Sequence, residues 1–264
     1  MDARSEWARP ADVWRRADAA KQFLDRAAAE LAPLKRELDA LLPIGRGSHV
    51  LDVGCGTGAD VRGLAARVGP GGRAVGIDSS RESVERARAA GPSAEFRHGD
   101  AEALPFADGS FDAVRAERVI EHVEDPQRAV KEMLRVTKPG GRVLAVDPDH
   151  GLWAPDLSDR DLTRRILTWW SDHVPNPWVA RGLRGLFVEA AASDVTVTPW
   201  PVVLRDLASA DALTWIGRAA DAAVGQGVAE VEEAAAWHEE LLRRDAEGRF
   251  LMLGTFVIVT GTKR

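Results

Sequence analysis

The stretch Val50–Ala59, VLDVGCGTGA, runs from a short apolar segment straight into three glycines within five positions. An apolar run broken by closely spaced glycines reads as a β-strand that turns sharply into a helix. The residues beyond it fit: TGADVRGLAARV has helical composition, GPGG turns the chain, and RAVGID is a second apolar run. A glycine turn between strand and helix lets a ligand come close to backbone N–H groups at a helix N-terminus, which suits phosphates and a carboxylate equally. A tight turn with no ligand would use the same glycines.

The pattern extends in both directions. SRESVERARAA reads as helix, SAEFRHGD and FDAVRAE as strands, DPQRAVKEMLRVTK as helix, and KPGG turns into the strand RVLAVDP. Strands alternating with helices of this length imply a parallel sheet covered on both faces, because right-handed crossovers put the helices there. Upstream, Asp12 to Leu42 is rich in Ala, Leu, Arg, Lys and Glu, with Pro33 in the first turn of a second helix. After Pro148, SDRDLTRRILTWWSDHV and WVARGLRGLFVEAA read as helices and SDVTVTPWPVVL as a strand. Two alanine-rich helical stretches follow, and RFLMLGTFVIVTGTKR closes the chain as a strand.

Composition excludes several classes of function. The 264 residues carry 41 acids against 35 bases, a net charge of −6, and no Lys/Arg-rich block, so nucleic acid is not an expected partner. No apolar run approaches the roughly 18 residues of a membrane span. The start, MDARSEWARPADVWRR, lacks the basic and apolar regions of a secretory signal. Cys55 is the single cysteine, which excludes an internal disulfide and a cysteine metal site and makes a reducing cytoplasm the expected location. The six histidines, at 49, 98, 122, 150, 173 and 238, show no metal-ligand spacing, so no metal is expected.

The loop glycines Gly54, Gly56 and Gly58 are spaced G-x-G-x-G, not the G-x-G-x-x-G of the dinucleotide fingerprint. Asp78 ends the second strand, 20 positions beyond Gly58, where a carboxylate can accept hydrogen bonds from both hydroxyls of a ribose. An Asp there, or Ser79 or Ser80, could equally cap the next helix. Asp100, beside the small Gly99 and Ala101, ends the third strand, where its carboxylate could accept the exocyclic amine of adenine or simply sit in a turn. FDAVRAERVIEHVEDP follows, and KPGGRVLAVDP then forms helix end, turn and strand.

This ordered set, from Val50 to Pro148, resembles the class I S-adenosylmethionine-dependent methyltransferases, of the kind found in ubiquinone and menaquinone biosynthesis and in bacterial small-molecule methylation. The rest of the chain matches only in general layout. The resemblance implies a doubly wound, Rossmann-like α/β fold with a seven-stranded sheet whose last strand is antiparallel, N-terminal helices and a helical cap. It implies one methyltransferase domain over 1–264: an N-terminal helical segment (1–43), a cofactor-binding core (44–150), cap helices with strand six (151–249) and the final strand (250–264). S-adenosylmethionine would be the cofactor and S-adenosylhomocysteine the product. Gly54, Cys55, Gly56 and Gly58 would border the methionine moiety, Asp78 and Ser79 the ribose, and Gly99, Asp100 and Ala101 the adenine. Glu117 and Arg118 would line the methionine end, mostly through backbone groups, and Cys55 would be a small loop residue and not a nucleophile.

Methyl transfer from a sulfonium is an in-line displacement that alignment and water exclusion can drive. A base matters only where the acceptor must lose a proton. His122 in VIEHVED and His150 in VDPDHG follow strands four and five and are the candidate bases, because imidazole titrates near neutrality. His122 is also readable as a capping or packing residue. Tryptophan is distributed unevenly: two lie at 7 and 14, none from 15 to 152, and seven from Trp153 onward. Trp14, Trp153 and Trp178 are candidate walls of a pocket for a small, partly apolar acceptor, while at least half of the tryptophans are expected to anchor helices. Quinone or natural-product biosynthesis is the expected setting. A fold member such as a cyclase that keeps the cofactor without transferring methyl, a noncatalytic regulator, and a nicotinamide oxidoreductase are the competing readings.

Overall fold

In the computed structural model, residues 27, 28 and 30–264 are described. The elements in chain order begin with α1 (Ala32–Leu41), β1 (His49–Val53), α2 (Ala59–Val68), β2 (Arg73–Asp78), α3 (Arg81–Ala89), β3 (Glu95–His98), β4 (Phe111–Glu117), α4 (Pro126–Val136) and β5 (Thr137–Pro148). They continue with β6 (Ala154–Pro155), α5 (Arg160–Ser171), α6 (Val179–Glu189), β7 (Ser193–Leu204), α7 (Leu207–Thr214), α8 (Ile216–Val224), α9 (Val231–Ala246) and β8 (Met252–Thr262). Contacts divide the chain into two units. One holds Leu34–Asp147, Val179–Pro199 and Val257–Arg264; the other holds Pro148–Trp178, Trp200–Phe256 and the described residues up to Pro33.

The first unit carries the sheet, in the order β3-β2-β1-β4-β5-β8, with β7 pairing β8. The pairs β1–β2, β1–β4, β2–β3 and β4–β5 are all parallel. The last strand runs against them: Gly140 N–H donates to the Lys263 carbonyl and Lys263 N–H to the Gly141 carbonyl, so the end of β8 meets the start of β5. Those bonds also carry β5 back through KPGG, which the sequence reads as a turn. Seven long strands match the expected number, and the two-residue β6, antiparallel to the start of β8, is an eighth that the sequence pattern does not announce.

The sheet is apolar on one face, and on the other its apolar side chains are interrupted by the buried Asp52 and Arg115. Leu51, Val53, Val75, Ile77, Val114 and Val143 are buried in one cluster with Val130 and Met133 of α4. Full burial of each such side chain contributes about 1.5–3 kcal/mol. Helix α4 starts where its chemistry dictates, with Pro126 in its first turn and Asp125 capping it by accepting the Arg128 N–H at 3.0 Å. The Ser80 hydroxyl caps α3 in the same way, accepting the Ser83 N–H at 3.1 Å.

The second unit is mainly helical. Trp237 of α9 is buried and donates its Nε1–H to Thr163 Oγ1 of α5 at 3.0 Å, while Trp170 of α5 donates to the Thr214 carbonyl at the end of α7, also at 3.0 Å. The first of the two expected alanine-rich stretches is in fact two helices. Trp215 breaks it by adopting a left-handed φ of 58°, and the carboxylate of Asp211 accepts the Gly217 N–H that begins α8. Gly217, just inside the second of these helices, is the only local sequence mark of that break, and a lone glycine in a helical stretch does not by itself end it.

Candidate cofactor site

The register of the central strands sets the site. Val53 pairs with Ile77 on one side and Ala116 on the other, so the next residues, Gly54, Asp78 and Glu117, come together at the carboxyl edge of three adjacent strands. In open α/β sheets this edge is where ligands bind. The glycines of the loop all take positive φ, at 69° for Gly54, 52° for Gly56 and 78° for Gly58. Two are also packed too closely for a side chain: a Cβ at Gly54 would collide with Val119 Cγ2, and one at Gly58 with the Phe96 ring. The G-x-G-x-G spacing is therefore a backbone requirement of this turn.

Asp78 is tied to the loop it faces. Its Oδ2 accepts the Gly56 N–H and its Oδ1 the Ser80 N–H, both at 2.8 Å. Burial pushes its carboxyl above the ordinary range, with those two N–H groups pulling the other way. The Ser79 carbonyl contacts the ring of His98 at 3.1 Å, which brings a histidine of β3 to this edge that motif reading overlooks. Gly99 N–H donates to the Asp78 carbonyl, and exposed Asp100 accepts the Glu102 N–H at 2.8 Å, forming a tight turn beside Ala101. Cys55 turns inward under β2, where a Cβ on Gly76 would lie 2.7 Å from its Sγ. Burial pushes the Cys55 thiol up, which keeps it neutral and unsuited to nucleophilic attack.

On the other side of the loop lies a charge network that sequence reasoning missed. Arg115 of β4 is almost fully buried and contacts Asp52 of β1 at 3.0 Å, Asp60 of α2 at 3.4 Å and Glu117 at 2.7 Å. Lys35 of α1 reaches Asp60 at 2.5 Å and Glu117 at 3.8 Å. Burial works against the Arg115 charge, but the three carboxylates outweigh it and hold the guanidinium protonated. Burial likewise pushes the Asp52 carboxyl up to about 7 against the pull of Arg115. Asp60 is held below its ordinary range, because Arg115 and Lys35 outweigh its burial. The missed signal was an arginine in the middle of β4, at the register position of Asp52.

Arg118, next to Glu117, takes a φ of 56°, uncommon for a residue with a side chain, and its N–H donates to the Val146 carbonyl at 2.8 Å. The turn after it carries His122, whose Nε2 lies 3.5 Å from Oε1 of buried Glu121. The Glu121 N–H donates at 3.2 Å to Asp147 Oδ1 at the end of β5. Burial, with the Glu121 carboxylate nearby, raises the fully buried Asp147 well above its ordinary range. Among the described residues no group of three or more His, Cys, Asp or Glu could hold a metal ion.

The structure thus collects Gly54, Cys55, Gly56, Gly58, Asp78, Ser79, Gly99, Asp100, Ala101, Glu117, Arg118 and His122 in the sheet unit. His150, Trp153 and Trp178 belong to the helical unit, and Trp14 lies outside the described residues. His150 N–H donates to the Pro177 carbonyl at 3.1 Å. Trp153 is buried edge-on against Phe256, with ring centres 6.3 Å apart, whereas Trp178 is 52% exposed.

A strand-edge glycine turn flanked by a carboxylate on each neighbouring strand defines a Rossmann-like nucleotide-binding α/β protein. The comparisons with known proteins narrow it. Residues 51–145 match the methyltransferase domain family. A demethylmenaquinone methyltransferase of Symbiobacterium thermophilum is 30% identical over 239 residues, covering 87% of this chain and 81% of that protein. An uncharacterized 37.1 kDa transposon protein of Streptomyces fradiae is 37% identical over 217 residues, covering 81% of this chain and 62% of its own length. The solved structure of a Bacillus halodurans protein shares the fold, with a TM-score of 0.61 at 19% identity, covering 86% and 97% of the two chains. The chain belongs to the class I S-adenosylmethionine-dependent methyltransferases. It spans about three fifths or less of the length of the first curated relatives it matches.

Proposed function

We propose that the protein transfers a methyl group from S-adenosylmethionine to a small, partly apolar metabolite, in quinone or natural-product biosynthesis. The observation that carries this reading is the pairing of a G-x-G-x-G turn with Asp78, whose two oxygens each accept one backbone N–H and retain lone pairs for two ribose hydroxyls. The donor set fits the cofactor: Asp78 for the ribose, the Gly99–Ala101 turn for the adenine, and the loop with Glu117 and Arg118 for the amino-acid end. When bound, that cofactor supplies a methyl group on a positively charged sulfur. The 30% identity to a demethylmenaquinone methyltransferase supports an acceptor with a ring and an apolar tail.

The protein's own contribution is alignment. The loop, fixed by positive-φ backbone and by Asp78, holds the donor so that an acceptor can approach the methyl carbon opposite sulfur. His122 is the candidate to take a proton from a hydroxyl or carbon acid, in contact with Glu121 at 3.5 Å. His150 is the second candidate, and Trp14, Trp153 and Trp178 are the candidate acceptor walls. Methyl-labelled cofactor incubated with the protein and a panel of quinols and aromatic metabolites tests this reading. Labelled product with stoichiometric S-adenosylhomocysteine is expected; product formed without S-adenosylhomocysteine would favour a cyclase-like reaction. His122→Ala retaining full turnover would remove that residue as a required base.

A further inference from the structure

The N–H, the carbonyl and the carboxylate of Glu102 are each bonded, and each bond leads to a different part of the structure. Its N–H donates to Asp100 Oδ1 at 2.8 Å, which closes the turn proposed above for adenine. Its carbonyl accepts the Arg128 Nε–H of α4, also at 2.8 Å. Its carboxylate reaches the segment between β4 and α4, where Oε1 accepts the N–H of Glu124 at 2.7 Å and that of Asp125 at 3.1 Å. His122, the candidate base, stands two positions before Glu124. One side chain therefore joins the adenine turn to the segment that carries His122.

That segment is anchored at both ends. At its start Val119 packs against Gly54 of the glycine loop, and the His122 N–H donates to the Val119 carbonyl at 2.9 Å. At its end are the two bonds to Glu102, charge-assisted and so stronger than bonds between neutral groups. Beyond Glu102 the loop is fastened along α4. Leu104 N–H donates to Glu132 Oε2 at 2.8 Å, and Arg135 donates to the carbonyls of Leu104 and Phe106 at 2.9 and 2.8 Å. A loop pinned on this side cannot absorb a displacement of the Asp100 turn by bending away, so the displacement passes through Glu102 to residues 124 and 125.

We propose that Glu102 is a positioning residue that couples occupation of the adenine turn to the placement of His122. This rests on the cofactor reading above. An exocyclic amine that donates to Asp100 shares that carboxylate with the Glu102 N–H, and the turn adjusts to hold both. Glu102 carries the adjustment to the backbone of Glu124 and Asp125, and so to the imidazole. The candidate base then takes its working position once the methyl donor is in place, which links binding of the donor to readiness for the acceptor. The link needs an acceptor oxygen at the reach of a glutamate, and it does not need the charge.

Magnetic resonance of the full chain with ring-labelled histidine, titrated with adenosine and with S-adenosylhomocysteine, tests the proposal; a His122→Gln sample identifies the His122 signals. Adenosine fills the adenine and ribose positions and lacks the sulfur and the amino-acid end. In wild type both nucleosides should shift His98, whose ring contacts the Ser79 carbonyl, and both should shift His122. Glu102→Asp keeps the charge and loses the reach, and Glu102→Ala loses both. In each, the His122 shift is expected to fall by more than half while the His98 shift stays. Glu102→Gln keeps the acceptor oxygen and should respond as wild type does. A full His122 shift in Glu102→Asp and Glu102→Ala, its loss in Glu102→Gln, or a wild-type His122 that ignores adenosine while His98 responds would overturn the proposal. If Glu102→Ala does not fold, the Asp and Gln variants carry the same test. Wild-type protein that binds neither nucleoside would instead refute the cofactor reading.

Discussion

Replacing Asp78 by Asn removes one charge and turns one acceptor oxygen into a donor NH2. In the structure Oδ1 and Oδ2 each already receive a backbone N–H at 2.8 Å, from Ser80 and Gly56. Whichever position the amide nitrogen takes, it faces a donor, so one of these bonds breaks. The ribose then loses one charge-assisted hydrogen bond and keeps the other to a neutral oxygen. With charged hydrogen bonds contributing about 1.5–3 kcal/mol each, the loss comes to about 3 kcal/mol, roughly 100-fold in affinity. The fold should tolerate the change, because burial disfavours the native charge and its removal offsets the lost backbone bond. Calorimetry with S-adenosylhomocysteine measures the affinity, and thermal unfolding checks the fold. A folded Asp78→Asn protein that binds within threefold of wild type would refute the ribose assignment. Because burial raises the Asp78 carboxyl, wild-type affinity should also weaken as the pH falls and that carboxylate is protonated.

Gly58→Ala forces a side chain into a φ of 78° and into the Phe96 ring, and the combined cost is expected to be about 2–5 kcal/mol, read by urea unfolding. Asp52, pushed up to about 7 in the folded protein, binds its proton more tightly than in the unfolded chain. Its contribution to stability is therefore full below about pH 4 and is lost as the pH rises towards 7, by at most about 4 kcal/mol. Asp52→Asn should flatten that part of the stability profile, and an unchanged slope would count against the assignment. Trp237→Phe removes the buried bond to Thr163 and should lower stability by about 1–3 kcal/mol in thermal unfolding while leaving nucleoside affinity unchanged.

The parts of the fold that the sequence announces are those set by local backbone chemistry. The loop glycines, the Asp125–Pro126 helix start and the apolar runs of β1, β2 and β4 each fall where local rules put them. Long-range pairings are silent in a single sequence. Gly140 and Gly141 read as a turn, yet they extend β5 because Lys263, more than a hundred residues away, pairs with them. Trp215 breaks a helix by its own left-handed backbone, which no composition rule anticipates. At the site, Asp78 was legible because it ends a strand at a known distance from the glycines. Lys35 was not, because its partners Asp60 and Glu117 reach it only after α1 packs beside α2 and β4. The tryptophans were legible as a group and not individually: Trp153, Trp170 and Trp237 hold the helical unit together through packing or indole hydrogen bonds, while Trp178 stands exposed.

On the proposed function, the turn VLDVGCGTGA with Asp78 beside it holds S-adenosylmethionine and not a dinucleotide. Parallel calorimetric titrations of the purified chain with S-adenosylhomocysteine and with NAD test it most directly. One molecule of S-adenosylhomocysteine should bind per chain, displaceable by S-adenosylmethionine, with no heat from NAD. Saturable NAD binding tighter than that of S-adenosylhomocysteine would contradict the account.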